Sequence, residues 1–270
     1  MSIGLRARAV ALAVLSCVGP AVAGAGEPVD RSRLEAILKK SEAYCRRLEK
    51  AALDFVCLEE VTELSVHFTP QTNVYLYDYQ FVRTGREKKE NRRLVSVNGK
   101  KRDVKDAPLG TVMFRYENVL FGPIGLLDED SQRLFDYALV GEATVGPERA
   151  AIIEAGPKPG ARGTRPYGRI WIKEEDGSVL RIDWDPASLG NYRAIEEWTK
   201  AHDATPRITA YSEYGLEKNG LRFPSRNFSE TATVTKGGLE TVSGRMSTVY
   251  KDYKFFIVET EVKYQAPGGA

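Results

Sequence analysis

Among 270 residues only three are cysteine and two are histidine, and that scarcity limits the available chemistry. Two histidines with scattered carboxylates form no recognisable zinc cluster. His67 and His202 both lie in polar, loop-like stretches, and His202-Asp203 is not a base with its orienting group merely because the two are adjacent. Gly-x-Ser-x-Gly, His-Glu-x-x-His and Gly-x-Gly-x-x-Gly are all missing, which removes the nucleophile elbow, the zincin helix and the dinucleotide loop. Carboxylate pairs need no fixed spacing, so a carboxylate hydrolase is the catalytic class that stays open. The runs Asp128-Glu129-Asp130 and Glu174-Glu175-Asp176 read as solvated turns, and Glu59, Glu60 and Glu63 as either a buried carboxylate or edge charge. The expectation is a non-enzymatic domain with no cofactor and no metal.

Charge of one sign is also missing. The chain has 39 basic and 37 acidic residues, and removing Arg6 and Arg8 with a leader balances the two. Short basic stretches, Arg86 to Lys89 and Lys100 to Arg102, sit beside acids at hairpin ends, so no nucleic-acid partner is expected. No apolar run is long enough to anchor the chain: Ala9 to Val18 is about half of the ~20 residues a bilayer span needs. With Arg6 and Arg8 before it and Ala21-Val22-Ala23 after it, that run reads as a secretory signal over 1–23. The expected location is the periplasm or the exterior. The alternative is an outer-membrane lipoprotein acylated at Cys17, since Val14-Leu15-Ser16-Cys17 loosely follows a lipobox. A short linker at 24–31, one domain over 32–265 and a disordered tail at 266–270 complete the expected organisation.

Export leaves Cys45 and Cys57, and an oxidising compartment makes a bond between them the default. On one unbroken helix they would stand about 18 Å apart, whereas a disulfide needs Cα atoms within about 7 Å. The bond therefore requires the helix to end near Ala52-Leu53-Asp54. That helix is expected from Arg33 to Ala51, with Ser32 and Glu35 as a capping box and Leu34, Ile37, Leu38, Tyr44, Cys45 and Leu48 on one side. Its stripe fits a lid over an apolar cavity and equally packing onto the outside of a sheet.

After Leu53 the period changes to two. Tyr75, Tyr77, Tyr79 and Phe81 place four aromatics on one face of a strand. Asn98-Gly99 and Asn219-Gly220 are strong hairpin turns, because both residues tolerate positive φ. The Gly/Pro-broken stretch Pro108–Leu127 is too apolar for an idle loop. It closes the core or gates a ligand cavity, with Met113, Phe114, Phe121, Leu126 and Leu127 as lid candidates. Paired strands are expected at Phe135–Val145 and Ala150–Ala155. Gly168–Ile172 and Val179–Trp184 form the clearest hairpin, its turn at Glu174–Gly177 setting Trp171 opposite Leu180. Further strands are expected at Tyr192–Trp198, Arg207–Leu216, Leu221–Thr235, Val242–Tyr250 and Phe255–Tyr264. Ten to eleven antiparallel strands after one helix predict a mainly β, α+β domain: an unclosed barrel with a helix and loop plug. Tyr75, Tyr77, Tyr79, Phe81, Trp171 and Trp184 are its candidate cavity residues.

The hairpin Gly168-Arg169-Ile170-Trp171-Ile172 with Asp176-Gly177-Ser178-Val179-Leu180-Arg181-Ile182 resembles the central hairpin of the periplasmic lipoprotein-carrier superfamily. Ile208-Thr209, Tyr214, Asn219-Gly220-Leu221-Arg222-Phe223-Pro224 and Arg226 resemble its later strands. Tyr44-Cys45, Leu48-Glu49 and Leu53 to Cys57 are similar to secreted bacterial proteins with the same kind of body. The resemblance implies an open barrel of about eleven strands around an apolar cavity plugged by helices. It also implies an envelope protein holding a lipid, an acyl chain or the lipid part of a lipoprotein. Carriers of that family hold their lid through an arginine inside the barrel, and Arg83 follows the aromatic strand here. The other reading is an envelope interaction domain with a filled core, using a loop at Ala155–Pro166 or a sheet edge. The expected partners are thus a hydrophobic small molecule or lipid, an envelope protein, and a membrane in transient contact.

Overall fold

The structure, a computed structural model, describes residues 28–51, 55–66, 69–84, 87–109, 122–160 and 165–256, with side chains at 28–29 and 81–89 excepted. The leader 1–23, Cys17, Met113, Phe114, Phe121 and the tail 266–270 lie outside the described residues, as do the side chains of Phe81 and Arg83.

Helix α1 spans Pro28–Ala51. It starts before the expected Arg33, since proline is tolerated in the first turn and Asp30 complements the positive helix end. Ser32 and Glu35 therefore lie within the helix rather than at its cap. Strands β1 (Phe55–Val66), β2 (Pro70–Thr84), β3 (Glu87–Val97) and β4 (Lys100–Val104) follow. Two short helices come next, α2 (Gly122–Leu127) and α3 (Glu129–Gln132). The chain continues through β5 (Phe135–Val145), β6 (Glu148–Pro157), β7 (Gly168–Ile172), β8 (Val179–Trp184), α4 (Tyr192–Ala201) and β9 (Ala204–Glu213). A small hairpin, β10 (Leu216–Lys218) and β11 (Leu221–Phe223), precedes the long strands β12 (Arg226–Thr235) and β13 (Glu240–Phe255). Among the described residues, no helix is long and apolar enough to cross a membrane.

Eleven strands form one antiparallel sheet in the order β4-β3-β2-β1-β13-β12-β9-β8-β7-β6-β5, and β10 pairs with β11 separately. β4 and β5 are its two edges, so the sheet is not closed. Strand β1 alternates strictly in burial. On β1 the buried set is Phe55, Cys57, Glu59, Val61, Glu63 and Ser65, which marks the concave face. Asn98-Gly99 and Asn219-Gly220 make the tight reversals expected of them, each with both residues at positive φ.

Four expectations differ. Leu221–Thr235 is not one strand but two, Leu221–Phe223 in the small hairpin and Arg226–Thr235 in the main sheet. Tyr192–Trp198 is not a strand but part of α4, because Ile195 and Thr199 turn inward at helical spacing. Trp171 pairs with Arg181, not Leu180, because the register shifts between Trp171 and Ile172. Val242–Tyr250 and Phe255 belong to the single strand β13, which bends at the irregularity opposite Val56/Leu58.

The expected Cys45–Cys57 bond is corrected as well: both are free, buried thiols. Cys45 faces α2, its Sγ donating to the Pro123 carbonyl at 3.5 Å. Cys57 faces Tyr253 from the inner side of β1. Neither sulfur is turned toward the other.

Candidate functional site

The concave face has two unlike halves. Over β5 to β8 it is aliphatic: Ala151, Ile153, Ile170, Ile172, Val179 and Ile182 are essentially inaccessible. Helix α1 closes this half with Ile37, Tyr44, Cys45 and Leu48, and α2 with Ile124, Leu126 and Leu127. Of the five lid candidates, Leu126 and Leu127 are thus placed in the helical cover. The cover fits closely at two glycines. A Cβ at Gly177, whose φ is +76°, would meet the Lys40 backbone of α1 at 2.5 Å, and one at Gly122 would meet the Tyr214 hydroxyl at 2.5 Å and Trp184 at 3.1 Å. Trp184 therefore lies on the inner face, beneath α2.

Few polar ties hold the cover. Arg33 Nε donates to Glu174 at 3.0 Å and Lys40 Nζ to the Glu174 carbonyl at 2.7 Å. Gln132 Nε2 donates to the carbonyls of Leu38 at 3.0 Å and Leu127 at 2.8 Å. Deeper in, the Tyr44 hydroxyl accepts from the Arg222 amide at 3.0 Å and donates to its carbonyl at 3.3 Å.

Over β1, β2, β3 and β13 the same face is aromatic and charged. Tyr75, Tyr77 and Tyr79 share it as expected, with Tyr79 only 2 % exposed. Between them and β13 lies an ion network that sequence reasoning did not find. Arg92 grips Glu59 through Nε at 2.5 Å and Nη2 at 3.0 Å, and reaches Glu90 at 2.8 Å. The Tyr250 hydroxyl donates to Glu59 at 2.9 Å, and the guanidinium stands 5.1 Å from the Tyr79 ring centre. Burial pushes the Glu59 carboxyl up while the Arg92 charge pulls it down. All these groups are buried against one another. The sequence left Glu59 open as a buried carboxylate, but the pair Glu90 and Arg92 two residues apart was lost in a strand where charges dominate from Glu87 to Arg93.

Trp171 is not with the other cavity candidates. It lies on the outer face in a row of planar groups: Arg181 is 5.7 Å from its ring and 4.0 Å from that of Tyr211, which stacks on Phe228 at 5.2 Å. The outer face also bears a groove of about 790 Å³ with Val56 and Leu58 as apolar floor and Asp78, Gln80, Asn91, Arg93, Asp252 and Lys254 around them. It lies where β1 and β13 lose register and Asp252 takes φ +54°. Among the described residues, no cluster of three or more histidines, cysteines and carboxylates could hold a metal ion.

No family model and no curated protein matches the chain. Solved structures similar to it include a DUF1329 family protein from Desulfovibrio piger, at TM-score 0.42 and 11 % identity, covering 83 % of this chain and 95 % of that one. A LolA superfamily protein from Nitrosomonas europaea aligns at TM-score 0.36 and 10 % identity, over 83 % and 94 %. A domain from Vibrio parahaemolyticus named for outer-membrane lipoprotein sorting aligns at TM-score 0.41 and 9 % identity, over 83 % and 94 %. The superfamily that the hairpins resemble is thus among these neighbours. Likeness at this level carries no function with it, so the functional reading rests on the chain's own geometry.

Proposed function

We propose that this is a non-enzymatic envelope protein that takes a hydrophobic ligand, a lipid or an acyl chain, between the concave face and its helical cover. One observation carries the reading: the apolar half of an unclosed sheet is covered by a separate helical layer rather than by a second sheet. A few polar ties and close packing hold that layer, so moving α1 and α2 exposes a continuous aliphatic surface of the kind an acyl chain requires. Tyr75, half-buried at the polar end, and Trp184 beneath α2 are the candidate residues that the ligand would meet first.

A second reading has an observation of its own. The outer groove of about 790 Å³ is open without any movement and is lined by charges of both signs, which suits a protein partner.

One experiment separates them. The full chain is expressed in a Gram-negative host, purified without denaturant and weighed natively, then after organic extraction. A released lipid, or uptake of a fluorescent acyl probe by the emptied protein, is the expected result. An empty protein that takes up no probe would sink the first reading and leave the interaction domain.

A further inference from the structure

A strip of polar side chains crosses the middle of the concave face, where a packed core would be apolar. At one end it is satisfied: Trp184 Nε1 donates to Ser212 Oγ at 3.0 Å, and Ser212 Oγ donates to Asn227 Oδ1 at 3.1 Å. Farther along β12 the same face carries Ser229 and Thr231, each 3 % exposed, and neither hydroxyl has a hydrogen-bond partner. Residues two apart on a strand point the same way, so the two hydroxyls form one unsatisfied pair. Alanine and valine would fill these places without an unmade hydrogen bond, so the pair is a cost to the empty fold.

The surroundings define what could satisfy it. Met246 lies beside Ser229 on β13, and Ala210 lies beside it on β9. Both are buried and apolar, as the start of an acyl chain would need. The same concave face buries the carboxylates Glu59 and Glu63, while the Arg92 guanidinium is already held by Glu59 and Glu90. A phosphate or carboxylate head would meet repulsion there. A hydroxyl or ester can both donate to and accept from serine and threonine.

We propose that Ser229 and Thr231 are the head-group subsite for an uncharged amphiphile of the acylglycerol class. The proposal rests on the reading that the protein takes a hydrophobic ligand on this face, and it adds which end of the ligand is recognised.

The test uses the full chain freed of lipid and titrated with 1-monooleoylglycerol and, separately, with oleate, which has the same chain and a charged head. Binding is read as a rise in melting temperature and a change in tryptophan emission. In the S229A/T231V variant, monooleoylglycerol affinity is expected to fall about tenfold or more, as two lost hydrogen bonds imply. Oleate affinity should stay unchanged, and the empty variant should melt at or above the parent temperature. Should the double variant not fold, S229A and T231V taken singly are each expected to lose several-fold for monooleoylglycerol alone. Equal affinity in parent and variant, equal losses for both ligands, or a parent preference for oleate would each overturn the subsite and leave the ligand-binding reading standing. A parent that binds neither ligand removes both.

Discussion

Where β5 to β8 face inward, aliphatic side chains dominate: Ile153, Ile170, Ile172 and Ile182 form one core with Leu48, Leu126 and Leu127, and Ser41 and Ser178 are buried beside them. Where β1, β2, β3 and β13 face inward, comparable burial is reached by a guanidinium, the three carboxylates of Glu59, Glu63 and Glu90, and several tyrosine rings. The aliphatic half is held mainly by burial, with the pairs of Arg33 to Glu174 and Glu142 at the rim of its cover. The ionic half stands only while each charge keeps its partner, because a desolvated charge left alone costs more than its pair contributes. On the proposed ligand reading, release of α1 from the first half costs the ties of Arg33 and Lys40 and no buried charge. The second half, locked by Arg92, stays in place.

The sharpest way to break this comparison is to remove the lock. Arg92→Met leaves Glu59 and Glu90 buried without their cation and is expected to cost about 3–5 kcal/mol in a denaturant titration. The effect has a sign in pH. The Glu59 carboxyl is already raised by burial, so its contribution is full below the unfolded value of about 4.3 and fades as pH rises through the folded value. Without the pull of Arg92 the folded value rises further, so the deficit of Arg92→Met should grow as pH rises above the parent's own folded value. Glu59→Gln added to it should recover part of the loss and flatten the profile. A deficit that does not change with pH would mean that packing, not charge, holds this half.

Ile170→Ala supplies the contrasting case. Its side chain is inaccessible, between Ile153 of β6 and Ile182 of β8. Loss of its methyl groups is expected to cost about 2–5 kcal/mol, the same at every pH where the parent is folded. Tyr44→Phe comes next. It strands the amide and carbonyl of Arg222 beneath α1 and should cost about 1–3 kcal/mol. It should also raise the uptake rate of the acyl probe if α1 is the moving part. A slower or unchanged uptake would place the entry elsewhere.

What the sequence made legible follows from how local each cause is. Asn98-Gly99 and Asn219-Gly220 act through their own φ, and Tyr75, Tyr77 and Tyr79 through a period of two, so the turns and the aromatic face could be read directly. The Trp171 face could not, because a register shift beside Ile172 moves its partner by one residue. In α4, Tyr192, Ala194, Glu196 and Trp198 also fit an alternating strand, and only packing of Ile195 and Thr199 decides for a helix. Arg92 was hidden for the opposite reason. In a strand crowded with charges, which one turns inward depends on Glu59 and Tyr250, which lie far away in sequence.

The smallest expected effect is none at all, and it bears on both halves together. Cys45 belongs to the helical cover of the aliphatic half and Cys57 to the ionic half, so a bond between them would tie the cover to the lock. Their sulfurs instead face Pro123 and Tyr253, and burial pushes both thiols well above their ordinary range. A thiolate is the reactive form, so neither should form a disulfide or react with a thiol reagent while the protein is folded. The melting temperature of the protein is therefore expected to be the same with and without reductant, and both thiols should label only after denaturation. A melting temperature that falls on reduction would show the two halves tied covalently, and the cover could then not leave the sheet as a unit.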